Sequence, residues 1–233
     1  MRFYLPQQVF FCCSGSYCVF LDVERDQYFA VPGQSLQMLM PSAARPSAVE
    51  AQAVSSEGTT SSPMPVVNDL VAQGLLTTDR LRGKPFEPVA VAPAVPIPHR
   101  QPSSLTNSRR FFAFYAACHI ANQRLTTTRI ADTVNLIRSR KSNQTRHASV
   151  TLETLLSLTS TFHALRLFYP RPYLCLFDSL ALLEFLSLYQ IFPTWVFGVE
   201  GEPFHAHCWV QYRELLLNDS LPRVSEYTAI MAV

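Results

Sequence analysis

No two cysteines in this chain are separated by two residues, so the C-x-x-C spacing of zinc sites and redox motifs is missing. No run reaches the ~20 apolar residues of a membrane-spanning helix. The nearest candidate, which begins at Cys175, is broken by Asp178, Ser179, Glu184 and Ser187. The N-terminus, MRFYLPQQVF, lacks the charged start, continuous apolar core and small-residue cleavage site of a secretory signal. These absences predict a cytoplasmic protein with no direct membrane insertion. A net charge of +2 offers no basic excess to drive nucleic-acid binding. No histidine pair at i, i+4 points to a metal, and no motif calls for a cofactor, so neither is expected.

What is present is a folding composition. The chain is 48% hydrophobic and 15% charged over 233 residues, enough for one large domain or two small ones. In a reducing compartment the six cysteines read as small buried hydrophobes, with Cys175 the exception.

Three zones separate by composition. Residues 1–84 open with strand-like runs, Gln8 to Cys13, Tyr17 to Asp22 and Gln27 to Val31, joined by turn-like Ser14-Gly15-Ser16 and Glu24-Arg25-Asp26. Ser35 to Met40 reads as a short helix, the Ala/Ser/Pro/Thr-rich Pro41 to Pro65 as part helix and part loop, and Val66 to Leu76 as an amphipathic helix. Residues 85–102 read as a linker, because six prolines favour an extended chain that cannot donate sheet hydrogen bonds. Residues 103–233 begin with helices over Arg109 to Leu125, Arg129 to Arg140 and Val150 to Phe168. After Pro170-Arg171-Pro172, Cys175 opens a helix whose apolar positions cover most of its circumference, as a buried central helix requires. Thr194 to Val199, His207 to Tyr212 and Leu215 to Asp219 are strand-like.

A thiol at a helix N-terminus, followed by a histidine and a carboxylate on later strands, is a nucleophile pattern. The helix terminus and an imidazolium lower a thiol's pKa, and a carboxylate orients the imidazole. Cys175, His207 and Asp219 are the candidates, with His207 preferred to His205 as the base. Strand parity decides whether His207 and Asp219 meet. A three-residue loop over Tyr212 to Glu214 places them opposite each other, whereas a two-residue turn at Arg213-Glu214 places them on opposite faces. The missing Asn-Gly or Gly-Gly disfavours the tight turn. The second oxyanion donor is left open between Tyr173 and a side chain of the earlier helices.

The segment Cys175-Leu176-x-x-Ser179-Leu180-Ala181-Leu182-Leu183, with Val196-x-Gly198-Val199, Pro203-Phe204-x-Ala206-His207-x-Trp209-Val210 and Asn218-Asp219, resembles the lasso-peptide biosynthesis B proteins. The resemblance implies an α+β chain: an N-terminal winged-helix-like recognition domain of three strands plus helices, and a C-terminal papain/transglutaminase-like cysteine peptidase domain. It implies Cys175 as nucleophile, His207 as base and then acid, Asp219 as the orienting carboxylate, and Trp209 packed beside them. Cys208 stands where a small residue is usual, and its side chain is expected on the other strand face. The first zone is similar to the precursor-recognition domain of that family through Cys18-Val19-Phe20-Leu21-Asp22, Tyr28-Phe29-Ala30-Val31-Pro32 and Leu70-Val71-x-x-Gly74-Leu75-Leu76. By that likeness a leader peptide would add a strand along Tyr28, Phe29, Ala30 and Val31 and pack on Leu70 and Leu75. The implied partners are the leader region of a lasso precursor peptide and an asparagine-synthetase-like lasso cyclase.

Overall fold

The structure, a computed structural model, describes residues 2–36, 63–98, 108–143 and 150–233. Its contacts divide the chain into two units. The first is Met1–Val91 with Gly198–Ala206 and Glu226–Met231; the second is Ala92–Phe197 with His207–Ser225 and Ala232–Val233.

In the first unit, alternating apolar runs pair as an antiparallel meander of β2 (Val9–Ser14), β3 (Tyr17–Asp22) and β4 (Gln27–Pro32). Gly15, at φ 58°, makes the two-residue turn between β2 and β3 without a Cβ penalty. A short β1 (Leu5–Pro6) pairs with β5 (Gly83–Lys84). Helix α1 (Pro63–Ala72) ends at Gly74, φ 74°, where the N–H groups of Leu75 and Leu76 both fold back onto the Leu70 carbonyl. Phe11, Phe20, Leu36, Val67, Leu70, Leu75, Leu76 and Phe86 form the core, with Phe86 stacked on Phe11 at 4.0 Å. Of the predicted Ser35–Met40 helix, Gly33–Leu36 is a 3-10 turn, and residues 37–40 lie outside the described residues. So do residues 41–62, which hold most of the Pro41–Pro65 segment.

The second unit is built on α2 (Ser108–Thr127), α3 (Ile130–Ser142), α4 (Leu152–Arg166) and α5 (Cys175–Ser187). Thr151 caps α4 by accepting the Thr154 N–H at 3.2 Å. Helix α5 is buried around most of its surface, as its near-continuous apolar sequence requires. Its one interior charge, Glu184, is 3% exposed and is paired with Arg124 of α2 at 3.0 Å and Arg140 of α3 at 2.9 Å. A buried carboxylate is tolerable only with such partners.

The remaining strands are β6 (Val95–Pro96), β7 (Thr194–Glu200), β8 (His205–Tyr212), β9 (Leu215–Leu216) and β10 (Thr228–Ala232), in sheet order β10-β7-β8-β9-β6. A one-turn helix, α6 (Leu221–Val224), precedes β10. The proline-rich stretch departs from expectation. Val95 lies between prolines but keeps its own N–H, and it donates to the Glu214 carbonyl at 2.6 Å as β6 pairs in parallel with β9. Prolines remove only their own donors. The Ala92 carbonyl accepts from Gln211 Nε2 at 2.7 Å.

Candidate active site

The nucleophile candidate stands at the first residue of α5, where the backbone N–H groups of the opening turn have no intrahelical acceptor. No N-cap side chain serves this terminus. Asp178 does, from inside the helix. Its Oδ2 accepts the Leu174 N–H at 2.8 Å and its Oδ1 accepts Arg166 Nε at 2.5 Å. Arg166, 2% exposed, also donates to the carbonyls of Tyr169, Arg171 and Pro172 at 3.0–3.3 Å. One guanidinium thus ties the end of α4, the Pro170–Pro172 loop and the start of α5 into a fixed frame for Cys175.

The expected three-residue hairpin loop is absent. Gln211 pairs with Leu216 and Tyr212 with Leu215, so the turn is the two-residue Arg213-Glu214, with Arg213 at φ 55°. Continued as a regular ladder, that register puts His207 and Asp219 on opposite faces. The ladder does not continue. Leu217 N–H still reaches the Val210 carbonyl at 2.9 Å. In place of the return bond, the Val210 N–H goes to Asn218 Oδ1 at 2.7 Å, and the Leu217 carbonyl is taken by His163 Nε2 at 2.7 Å. Strand β9 stops at Leu216, and parity has no hold on Asp219 beyond it. Its Oδ2 meets His207 Nε2 at 2.5 Å, while its Oδ1 accepts the Ser220 N–H at 2.7 Å.

With Nε2 committed to the carboxylate, the imidazole shares one cleft with the Cys175 thiol, and each group shifts the other's ionisation. Hydrogen bonds from Cys208 and from His207, with the charge of His207, outweigh burial and lower the Cys175 thiol to about 4. Burial opposes the charged form of His207, yet the hydrogen bonds to Asp219 and Cys175 raise it to about 9. Burial likewise pushes the Asp219 carboxyl up, but the bonds from His207 and the Ser220 N–H, with Arg223 nearby, hold it below the usual carboxylate range. At neutral pH the arrangement is therefore a thiolate–imidazolium pair steered by a carboxylate. By contrast, burial pushes the Cys12 and Cys118 thiols up to about 12. The three groups open onto a cleft of about 160 Å³ that Tyr173, Cys208 and Arg223 also line.

Residues 119–232 match the Transglutaminase-like superfamily. The match spans all three groups just described, so this part of the chain carries a transglutaminase-like domain of mixed helix and strand. No curated protein and no solved structure matches the chain.

Within the transglutaminase-like domain, the sequence reading misplaced one side chain and missed several. Cys208 is expected on the far strand face, but its thiol lies 3.8 Å from Ser179 Oγ, one helical turn beyond Cys175, and it lines the same cleft as Cys175 and His207. Trp209, two residues from His207, brings its ring to 6.2 Å from the imidazole. The buried Ser179 hydroxyl donates to the Cys208 carbonyl at 3.2 Å and accepts Asn218 Nδ2 at 2.9 Å, tying the helix to the strand end. His163, Arg166 and Asp178 went unassigned. Asp178, three residues into an apolar helix, was the one local signal.

The rival base and the predicted peptide contacts lie in the first unit. His205, with its side chain 58% exposed, faces Glu200 Oε2 at 3.5 Å. Tyr28 packs its ring on Phe204 at 5.5 Å, Phe29 and Val31 pack partly into the core, and Ala30 is exposed on the edge strand β4. Leu70 and Leu75, at 2% and 0% exposure, are core residues that a peptide on the surface does not touch. The helix turn that carries them has its apolar side against the meander, so the positions read as contacts are the ones that hold the unit together. His99 and His147 lie outside the described residues.

Proposed function

We propose that this chain is a leader-dependent cysteine endopeptidase that removes the leader from a ribosomally made lasso-peptide precursor. The observation that carries the peptidase reading is the single cleft lined by Cys175, His207 and Asp219, with His207 bonded to Asp219 and Cys175 at a helix N-terminus. Attack by the Cys175 thiolate on the scissile carbonyl gives a tetrahedral oxyanion, held near the free N–H groups of the first turn of α5. His207 donates its proton to the departing amine, leaving a thioester on Cys175, and then takes a proton from the water that releases the acid. Asp219 keeps the ring oriented throughout.

Support for the leader-dependent part is the resemblance of the Cys175, His207 and Asn218-Asp219 segments to lasso B proteins and the place of β4 at the edge of its sheet among the described residues. A leader adding a strand there would draw affinity from backbone hydrogen bonds. Under this reading residues 1–84 form the winged-helix-like recognition domain, 85–102 the connection and 103–233 the peptidase. The released core passes to an asparagine-synthetase-like, ATP-dependent cyclase in the cytoplasm. Among the described residues no helix is long and apolar enough to cross a membrane.

The test is incubation of a lasso precursor with the protein and with Cys175→Ala, followed by mass spectrometry. A free leader carboxylate formed only by the wild type supports the reading. Leader removal at the wild-type rate by Cys175→Ala refutes it, and a leader joined to an amine identifies acyl transfer instead.

A further inference from the structure

A second cavity, of about 490 Å³, adjoins the catalytic cleft and shares His163, Asn218 and Asp219 with it. The volume lies in the range of small-ligand sites. Its other walls are mostly apolar, including Ile97, Pro98, Ala164, Leu167 and Leu217. The single carboxylate on its wall, Asp219, is engaged by His207 and the Ser220 N–H, so a charged ligand group finds no uncommitted counter-charge there.

One polar atom in this wall is out of keeping with its surroundings. Thr159 is 2% exposed, and its Oγ1 has no hydrogen-bond partner among the described residues. A threonine inside a helix ordinarily bonds its hydroxyl to the carbonyl one turn back. Thr161, on the same helix, does so at 2.8 Å to Ser157. An unpaired buried hydroxyl is costly, and this one is sealed behind the apolar wall rather than open to the cavity.

We infer that this cavity is the subsite for an uncharged, predominantly apolar side chain of the substrate. The inference rests on Cys175 being the reacting centre: a segment whose carbonyl lies at the thiolate runs past Asn218 and Asp219 directly into the cavity. Leu167, 73% exposed, offers the same segment an apolar rim. The Cys175, His207 and Asp219 groups accept any acyl carbonyl, so the side chain beside the reacting bond is selected by this wall.

The test reads the cavity through the rate of Cys175 alkylation. N-chloroacetyl amides of leucine, phenylalanine and glycine each lose chloride to the attacking thiolate, and they differ only in the side chain offered to the cavity. The leucine and phenylalanine reagents are expected to react about tenfold faster than the glycine reagent. Ala164→Phe fills the cavity and should erase that preference, with Ser160→Phe as the second variant if the first does not fold. Equal rates for all three reagents in the wild type, or a preference that survives both variants, overturn the inference. Iodoacetamide, too small to need the cavity, reports separately on the nucleophile. If it fails to select Cys175, the peptidase reading has failed. The cavity is then judged by NMR titration of Cys175→Ala protein with N-acetyl-leucine amide and N-acetyl-phenylalanine amide. Shifts at Ala164 and Leu217 that Ala164→Phe abolishes support the subsite, and no shifts there overturn it.

Discussion

Asn218 Oδ1 accepts the Val210 N–H at 2.7 Å, and this side-chain bond replaces a rung of the β8–β9 ladder. It keeps β9 from running on past Leu216 and lets the carboxylate swing to His207 despite a two-residue turn. Asn218→Ala removes the acceptor and leaves a buried N–H unpaired, a cost of about 1–3 kcal/mol. It also frees Asp219 from its position, and a displacement of that kind lowers a rate by about 10²-fold. Thermal unfolding and peptide hydrolysis measured on the same protein check both effects. An Asn218→Ala protein that melts and turns over like wild type contradicts this account of the strand end.

Arg166 holds three carbonyls and Asp178 without touching the candidate nucleophile, base or orienting carboxylate. Arg166→Met strands a largely buried carboxylate and should destabilise the protein by about 3–5 kcal/mol. Replacing Asp178 by Asn in the same protein removes the stranded charge and should recover part of the loss. Chemical denaturation of the two single variants and the double variant gives the coupling energy. Strict additivity of the two single effects would show that the pair does not act as a unit.

Cys13 and Cys18 are directly paired across β2 and β3, with their sulfurs 2.6 Å apart. The turn Gly15-Ser16 makes Ser14–Tyr17 the hydrogen-bonded pair, so Cys13–Cys18 is the next, non-hydrogen-bonded one, where side chains approach most closely. The hydrogen bond with Cys18 also holds the Cys13 thiol below its ordinary value. Treatment with diamide, which accepts the two hydrogens, should give an intrachain link between these residues that Cys13→Ser prevents. Peptide mapping without reductant checks it, and free thiols at both positions after treatment contradict it.

The elements were largely legible in the sequence, because apolar periodicity over Tyr17–Asp22, Arg129–Arg140 and Cys175–Ser187 leaves few alternatives. Residue type and element position also single out Cys175, His207 and Asp219, which the structure brings to one cleft. The hairpin register was not legible. Turn length was inferred from the missing Asn-Gly signal, and nothing local shows that Arg213 adopts the left-handed conformation. The break after Leu216 depends on Asn218 and on His163, 54 residues away from the carbonyl it captures, a contact no local pattern encodes. Arg166 was hidden for the same reason, since its partners are mostly backbone carbonyls of a loop. For Leu70 and Leu75 the resemblance implies a binding surface, while burial places both in the core of the first unit.

The pH dependence of Cys175 alkylation by iodoacetamide tests the central claim most directly. The thiol is lowered to about 4, so the thiolate persists as pH falls until about that value. The imidazole is raised to about 9, so its charge persists as pH rises until about that value. The pair therefore coexists between the two, and the rate should be level across neutral pH, dropping only in acid near 4. His207→Ala removes the imidazolium and should abolish the level region. A wild-type rate that climbs about tenfold per pH unit toward 8.5, as an ordinary thiol's does, would contradict the account.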